Sequence, residues 1–126
     1  YSPNFYFGVN FLFKIVGDFA KKFPVSYDVK VVEIHHKTKR DMPSGTAQEL
    51  IRIISEVRKE ETEVFSLRAG EIVGEHKVIF AGPGEVIEIS HNALSRKAFV
   101  QGVIEGIKFI VRKPKGFYTF EEILRE

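Results

Sequence analysis

The stretch "EIHHKTKRDMPSGTA", residues 33–47, decides how the rest of the chain is read. It starts inside a β-branched run, "DVKVVEIHH" at 28–36, and ends in Ser-Gly-Thr just ahead of an apolar helical pattern. Successive side chains of a strand point to opposite faces. Val29, Val31, Glu33 and His35 therefore share one face, and Lys30, Val32, Ile34 and His36 share the other. The two histidines cannot both line one face while the strand stays regular, so they belong where it ends. "KTKRDMP" then reads as a loop, and Ser44 or Thr46 can cap a helix by accepting a bond from an otherwise unpaired N–H.

Working outward, the helix runs to about residue 59 on a stripe of Ala47, Leu50, Ile51, Ile54 and Val57. Upstream, residues 5–23 carry apolar side chains at 9, 12, 13, 16, 19, 20 and 23, spaced for a helix packed on a sheet, and Pro24 stops it. Downstream, 63–69 is a predicted strand. The segments 72–81 and 85–92 flank Gly82-Pro83-Gly84, which predicts a hairpin. Residues 97–112 give a second long helix with Phe99, Val103, Ile107 and Ile110 expected in the core. A last short helix follows Thr119, with Glu122 at the capping-box position.

Length and composition bound the function. A chain of 126 residues fits one domain with a modest core, and 44% hydrophobic with 29% charged residues is ordinary globular material. The absence of cysteine rules out disulfides and thiolate metal sites and agrees with a reducing cytosol. No apolar run is long enough to span a bilayer. The start lacks the basic region and cleavage site of a signal peptide, and Tyr1 in place of Met points to a processed or truncated piece. The net charge of +2 comes from interleaved residues with no long basic block, which argues against nucleic acid and leaves a small anion as the better partner. Neither G-x-G-x-x-G nor G-x-x-x-x-G-K-[ST] occurs, so the chain has no nucleotide-binding fingerprint of its own.

Residues 33–47 suit such an anion. A helix N-terminus offers unpaired N–H groups and partial positive charge, Gly45 lets an anion approach the backbone, and Ser44 and Thr46 add hydroxyls. Lys37, Lys39 and Arg40 add full charge, while His35 and His36 titrate near neutrality and can exchange a proton. Each feature also has a plain explanation. A capped helix after proline is common, a surface lysine is usually solvated, and the histidines could pack or bind a metal with His76 or His91. The metal alternative lacks both cysteine and H-x-x-x-H spacing. The density of anion-suited features within one short segment favours a site that binds an anionic small molecule and protonates it.

The segment closely resembles the signature E-x-H-H-x-x-K-x-D-x-P-S-G-T-A of the dihydrodipicolinate reductases, with every fixed position matched. "SPNFYFGVN" resembles that family's domain-junction segment, "RAGEIVGEHKVIFAGPGEVIEISHNALSRKAF" its sheet segment and "GFYTFEEIL" its C-terminal tail. The resemblance implies an α/β (α+β) fold, an open mixed sheet of about four strands with helices packed on one face. Residues 1–98 would form the substrate-binding and tetramerisation domain. Residues 99–126 would be a helix and tail that return to an N-terminal Rossmann domain absent from this chain, so that part of the 97–112 stripe would face where that domain belongs and form an exposed apolar patch here.

The resemblance also implies roles. His35 would be the catalytic acid and Lys39 its partner. His36, Ser44, Gly45 and Thr46 would hold the carboxylates of a cyclic dicarboxylate. Ser2, Pro3, Asn4 and Phe5 would lie against the nicotinamide of NADPH or NADH, with Arg96 and Phe99 a second contact on that side. Glu33 would orient a histidine or pair with Lys30 or Lys37. His76 and His91 are expected as strand residues facing the sheet or a tetramer interface. The implied activity is NAD(P)H-dependent reduction in the diaminopimelate route to lysine, by a cytoplasmic homotetramer with no metal, nucleic acid or membrane partner. The alternatives are a stand-alone module that binds dicarboxylates or assembles without turnover, and a generic α/β domain for another anion.

Overall fold

The alternation predicted for 28–36 is visible in the burial of its side chains. β1 (Asp28–His35) buries Val29, Val31, Glu33 and His35 and leaves the residues between them partly exposed. The computed structural model describes residues 1–126 and sets β1 inside a four-stranded sheet of order β2-β1-β3-β4. β2 (Val64–Arg68) runs parallel to β1, while β3 (Gly74–Gly82) and β4 (Glu85–Ala93) form an antiparallel hairpin beside it. A parallel pair needs a crossover, and α2 (Gly45–Arg58) supplies it. Gly82 faces Glu85 across the hairpin, so Pro83 and Gly84 form its two-residue turn, with Gly84 at φ +83°. This is the open mixed sheet of four strands that the resemblance implies.

α1 (Phe7–Lys22) and α2 lie side by side on one face of the sheet. Leu12, Val16 and Ala20 from α1 meet Ala47, Leu50 and Ile54 from α2 over Val29, Val31, Val78 and Phe80. Leu50, Ile54 and Phe80 are wholly buried, so truncating any one to Ala costs roughly 2–5 kcal/mol. α1 ends where expected. Phe23, the residue before Pro24, has φ −71° and ψ 137°, the extended backbone that a following proline favours. The opposite face of the sheet carries no helix, and Phe65 and Leu67 on it are half exposed.

The last two helices, α3 (Lys97–Ile110) and α4 (Phe120–Leu124), close against the beginning of the chain. Phe120 is buried edge-on to Phe5 and Phe7. α3 leaves part of its apolar stripe as an exposed patch, the second of the two expectations for it, rather than core. Its buried residues are Gly102 and Phe109, whereas Phe99, Ile107 and Ile110, expected in the core, are 36%, 55% and 45% exposed. The cause is local. A Cβ on Gly102 would overlap the Phe5 carbonyl, so α3 approaches the start of the chain through this glycine, with Phe99 packed on Phe5 beside it and Ile107 and Ile110 left exposed. The capping box at Thr119 forms as predicted, with the Glu122 carboxylate accepting from the Thr119 N–H at 2.6 Å.

Candidate active site

Strand register assembles the site. On the helix-covered face Ser66, Glu33, His76 and His91 form one row across all four strands. In the next row His35 pairs with Arg68, and Gly74 with Ala93. Parallel and antiparallel pairing together bring residues more than thirty positions apart in sequence into hydrogen-bond range.

Glu33 is the centre. It has no exposed surface, and the Arg68 guanidinium grips both its oxygens, Nη1 to Oε2 at 2.9 Å and Nη2 to Oε1 at 2.8 Å. The Ser44 N–H donates to Oε1 at 3.2 Å. Burial alone would raise the Glu33 carboxyl, but Arg68, Ser66 and His35 outweigh it and hold the group down at about 2. A carboxylate can only accept, so the short contact between its Oε2 and His35 Nδ1 is a donation from Nδ1–H. Glu33 thus orients His35, as one of the two readings had it, and Arg68 replaces Lys30 or Lys37 as its cationic partner. Lys30 is on the opposite face and bonds Glu63.

His35 is 7% exposed at the wall of a cleft of about 310 Å³. Burial pushes its imidazole down, and nearby Lys39 and Arg68 act in the same direction against the upward pull of Glu33. With Nδ1–H committed to Glu33, Nε2 is the nitrogen left to exchange a proton, and it lies over Gly74 on the cleft floor. Lys39 reaches the same cleft and pairs with Asp41 at 2.9 Å. The salt link to Lys39 holds the Asp41 carboxyl below its usual range.

Ser44, not Thr46, is the N-cap of α2, and its Oγ accepts from the Ala47 N–H at 3.2 Å. The same hydroxyl is 2.8 Å from His76 Nε2. Desolvation first, and His35 second, push His76 down to about 3, so it is neutral, and its Nε2 shares one hydrogen bond with the Ser44 hydroxyl. Ser44 is therefore fully engaged inside the protein. The N–H groups of Gly45 and Thr46 have no partner in the chain, and a side chain built on Gly45 would meet nothing within 4 Å. Those two N–H groups, beside Lys39, are the donors free to meet an anion.

The remaining candidates divide. Pro3 and Asn4 line the cleft, and Asn4 Nδ2 donates to Thr46 Oγ1 at 2.9 Å. Ser2 is one step behind, accepting from the Asn4 N–H at 3.2 Å. Phe5 and Phe99 turn away and pack on each other edge to face, 5.8 Å between centroids. Arg96 is exposed at the start of α3 and does not line the cleft. His36 lies outside it as well, with Nδ1 2.8 Å from Thr38 Oγ1. Of the six residues expected beside the nicotinamide, only Pro3 and Asn4 line the cleft.

Sequence reasoning missed two participants. Arg68 opens the segment that resembles the family's sheet, but nothing in its strand spacing marks it as a partner of Glu33. His76 was read as a plain strand residue, and it is one, but it faces inward with its ring 5.0 Å from that of His35. Glu33, His35 and His76 have the mutual spacing of a metal cluster, with donor atoms within 4.8 Å of one another. Arg68 occupies both Glu33 oxygens and its charge opposes a second cation, while Ser44 occupies His76 Nε2. These bonds engage Glu33 and one nitrogen each of His35 and His76.

Residues 8–124 match the family model described as dihydrodipicolinate reductase, C-terminus. The 4-hydroxy-tetrahydrodipicolinate reductase of Syntrophobacter fumaroxidans is 41% identical over 143 residues, covering 98% of this chain and 54% of that protein. The protein of that name from Methanocaldococcus jannaschii is 43% identical over 141 residues, covering 98% and 51%. Among solved structures, the dipicolinate-bound dihydrodipicolinate reductase from Paenisporosarcina sp. TG-14 superposes with a TM-score of 0.80 at 27% identity, over 97% of this chain and 53% of that one. The chain spans about half the length of the curated relatives it matches. Fold, signature and relatives agree that the chain belongs to the dihydrodipicolinate reductase family and matches its C-terminal part.

Proposed function

We propose that the chain is the substrate-side part of a 4-hydroxy-tetrahydrodipicolinate reductase, which reduces a cyclic unsaturated dicarboxylate on the diaminopimelate route to lysine with NADPH or NADH. The observation that carries this is the meeting of His35 Nε2, Lys39 and the unpaired N–H groups of Gly45 and Thr46 in one cleft. One substrate carboxylate would rest on Lys39 and the start of α2. His35 would give the proton that completes reduction at the adjacent ring carbon, and Lys39 would stabilise the negative charge that develops. When bound, the nicotinamide supplies the hydride. Pro3 and Asn4 would touch its edge, with Ser2 holding Asn4. Phe5, Arg96 and Phe99 would act, if at all, through the packing of α3. Ser44 would serve as scaffold for the N–H groups, and His36 would reach a carboxylate only by leaving Thr38.

His35 must be charged to act as an acid, and burial disfavours that in the free chain. A bound dicarboxylate brings negative charge beside the ring and favours the imidazolium. The substrate would thus arm its own proton donor.

Oligomerisation would use the helix-free face, where Phe65, Leu67 and Val86 are exposed. A tetramer formed through this sheet is the proposed state, working in the cytoplasm. No helix is long and apolar enough to cross a membrane. The exposed apolar side of α3 supports a division near residue 98, with 99–126 facing a nucleotide-binding domain.

Calorimetric titration of pyridine-2,6-dicarboxylate, a planar dicarboxylate, into the chain and into Lys39→Ala tests the reading. Loss of a charge-assisted bond predicts at least about tenfold weaker binding in the variant. Equal affinity for both proteins would remove the dicarboxylate from this cleft. The chain alone is expected not to oxidise NADPH at an appreciable rate, since it offers no phosphate cradle. Robust turnover would overturn that, and tight binding without turnover even when a nucleotide-binding domain is supplied would favour a stand-alone binding module.

A further inference from the structure

Arg68 spends every hydrogen-bond donor it has on the backbone and carboxylate around the cleft. Two go to Glu33, one each from Nη1 and Nη2. The other Nη2 hydrogen goes to the Asp41 carbonyl at 2.7 Å, Nε to the Lys39 carbonyl at 3.3 Å, and the other Nη1 hydrogen to the Leu67 carbonyl. Its side chain is only 10% exposed, and its bonds to Glu33 and to the Lys39 carbonyl are partly buried. Glu33 passes the constraint to His35 through Nδ1, and the two loop carbonyls belong to Lys39 and to the residue that pairs with Lys39.

We propose that Arg68 is a positioning residue for proton transfer, a planar clamp that sets His35 as its Nδ1–H tautomer and holds the Lys39 loop against the same cleft. The inference rests on the reading of the cleft as a reductase site, but its structural content is separable from that reading. A lysine would keep the charge and lose the clamp, because a single ammonium cannot bond a carboxylate edge and two loop carbonyls in one plane. The groups that face His35 are Glu33 on its own strand, Arg68 from β2, His76 from β3 and Lys39 from the loop, with His91 of β4 behind His76.

The test is ¹⁵N spectroscopy of the histidine rings across a pH titration of the chain without ligand, for the wild type, Arg68→Lys and Glu33→Gln. The wild type is expected to show His35 as one tautomer, protonated at Nδ1 and bare at Nε2. Arg68→Lys is expected to show a mixture of tautomers. Glu33→Gln, which leaves the loop contacts of Arg68 in place, is expected to mix the tautomers and move the His35 midpoint down. A wild-type ring protonated at Nε2 would overturn the proposal, and so would variants that keep the wild-type tautomer and midpoint. Should Arg68→Lys not fold, Glu33→Gln decides whether the clamp reaches His35. A chain with the expected tautomer that binds no pyridine-2,6-dicarboxylate would keep the clamp and remove the reductase reading. A chain that binds it with an unordered His35 would do the reverse.

Discussion

Gly74 lies directly beneath the imidazole of His35, so close that a Cβ there would stand 3.1 Å from Nε2 and 3.2 Å from Cδ2. The ring can lie over the strand only because this position has no side chain. Gly74→Ala should therefore displace the ring while adding only one buried methyl. The ring must give by a few tenths of an ångström, which should weaken pyridine-2,6-dicarboxylate binding. The unfolding midpoint should move little. Calorimetry beside thermal melts checks both, and unchanged affinity would show that the ring has room to spare.

Ser44 caps α2 and satisfies His76 with one hydroxyl. Losing an N-cap costs about 1 kcal/mol, and leaving a buried polar partner unmet costs about 1–3 kcal/mol more. Ser44→Ala should thus destabilise the chain by roughly 2–4 kcal/mol in urea unfolding. A loss near 1 kcal/mol would mean that His76 finds another partner.

His76 is held neutral, with its folded value near 3 against 6.5 for the free side chain. The unfolded chain then binds one more proton than the folded chain between those values, so stability falls as pH drops from about 6.5 towards 3, by up to about 1.4 kcal/mol per pH unit. Glu33, depressed to about 2 from 4.5, adds its own loss as pH falls through that lower window. Urea midpoints measured along this range should slope accordingly. His76→Gln should reduce the slope between about 6.5 and 3 and leave the loss that Glu33 contributes.

Binding of a dicarboxylate should draw a proton onto His35. At neutral pH, titrations of pyridine-2,6-dicarboxylate in buffers of different ionisation heat should reveal net proton uptake, and affinity should rise as pH is lowered towards 6. His35→Gln should abolish the uptake. Binding with no proton exchange would mean that His35 stays neutral in the complex.

The helix-free face of the sheet should mediate self-association. Phe65 and Leu67 project from its β2 edge, each half exposed. Sedimentation velocity should show an oligomer for the chain and a shift towards monomer for Leu67→Lys. A monomer at all concentrations would remove this face as an interface.

Much of this molecule was legible from local pattern. Period-two alternation in 28–36 put Glu33 and His35 on one buried face. The 3.6-residue stripes located α1 and α2, and the motif at 33–47 named the family and pointed to His35, Lys39 and the start of α2. These readings rest on interactions between residues a few positions apart, which sequence spacing encodes directly. The stripe of α3 left its burial open between core and exposed patch, because spacing tells which residues share a side of a helix, not which side finds a partner. There the approach of Gly102 to Phe5 buried Gly102 and Phe109 and left Ile107 and Ile110 exposed. Tertiary structure alone decided what surrounds Glu33. Arg68 and His76 reach it through the register of β2 and β3 against β1, and a slip of one residue would have sent both to the opposite face. Register depends on how the whole sheet packs under α1 and α2, so no short segment contains it.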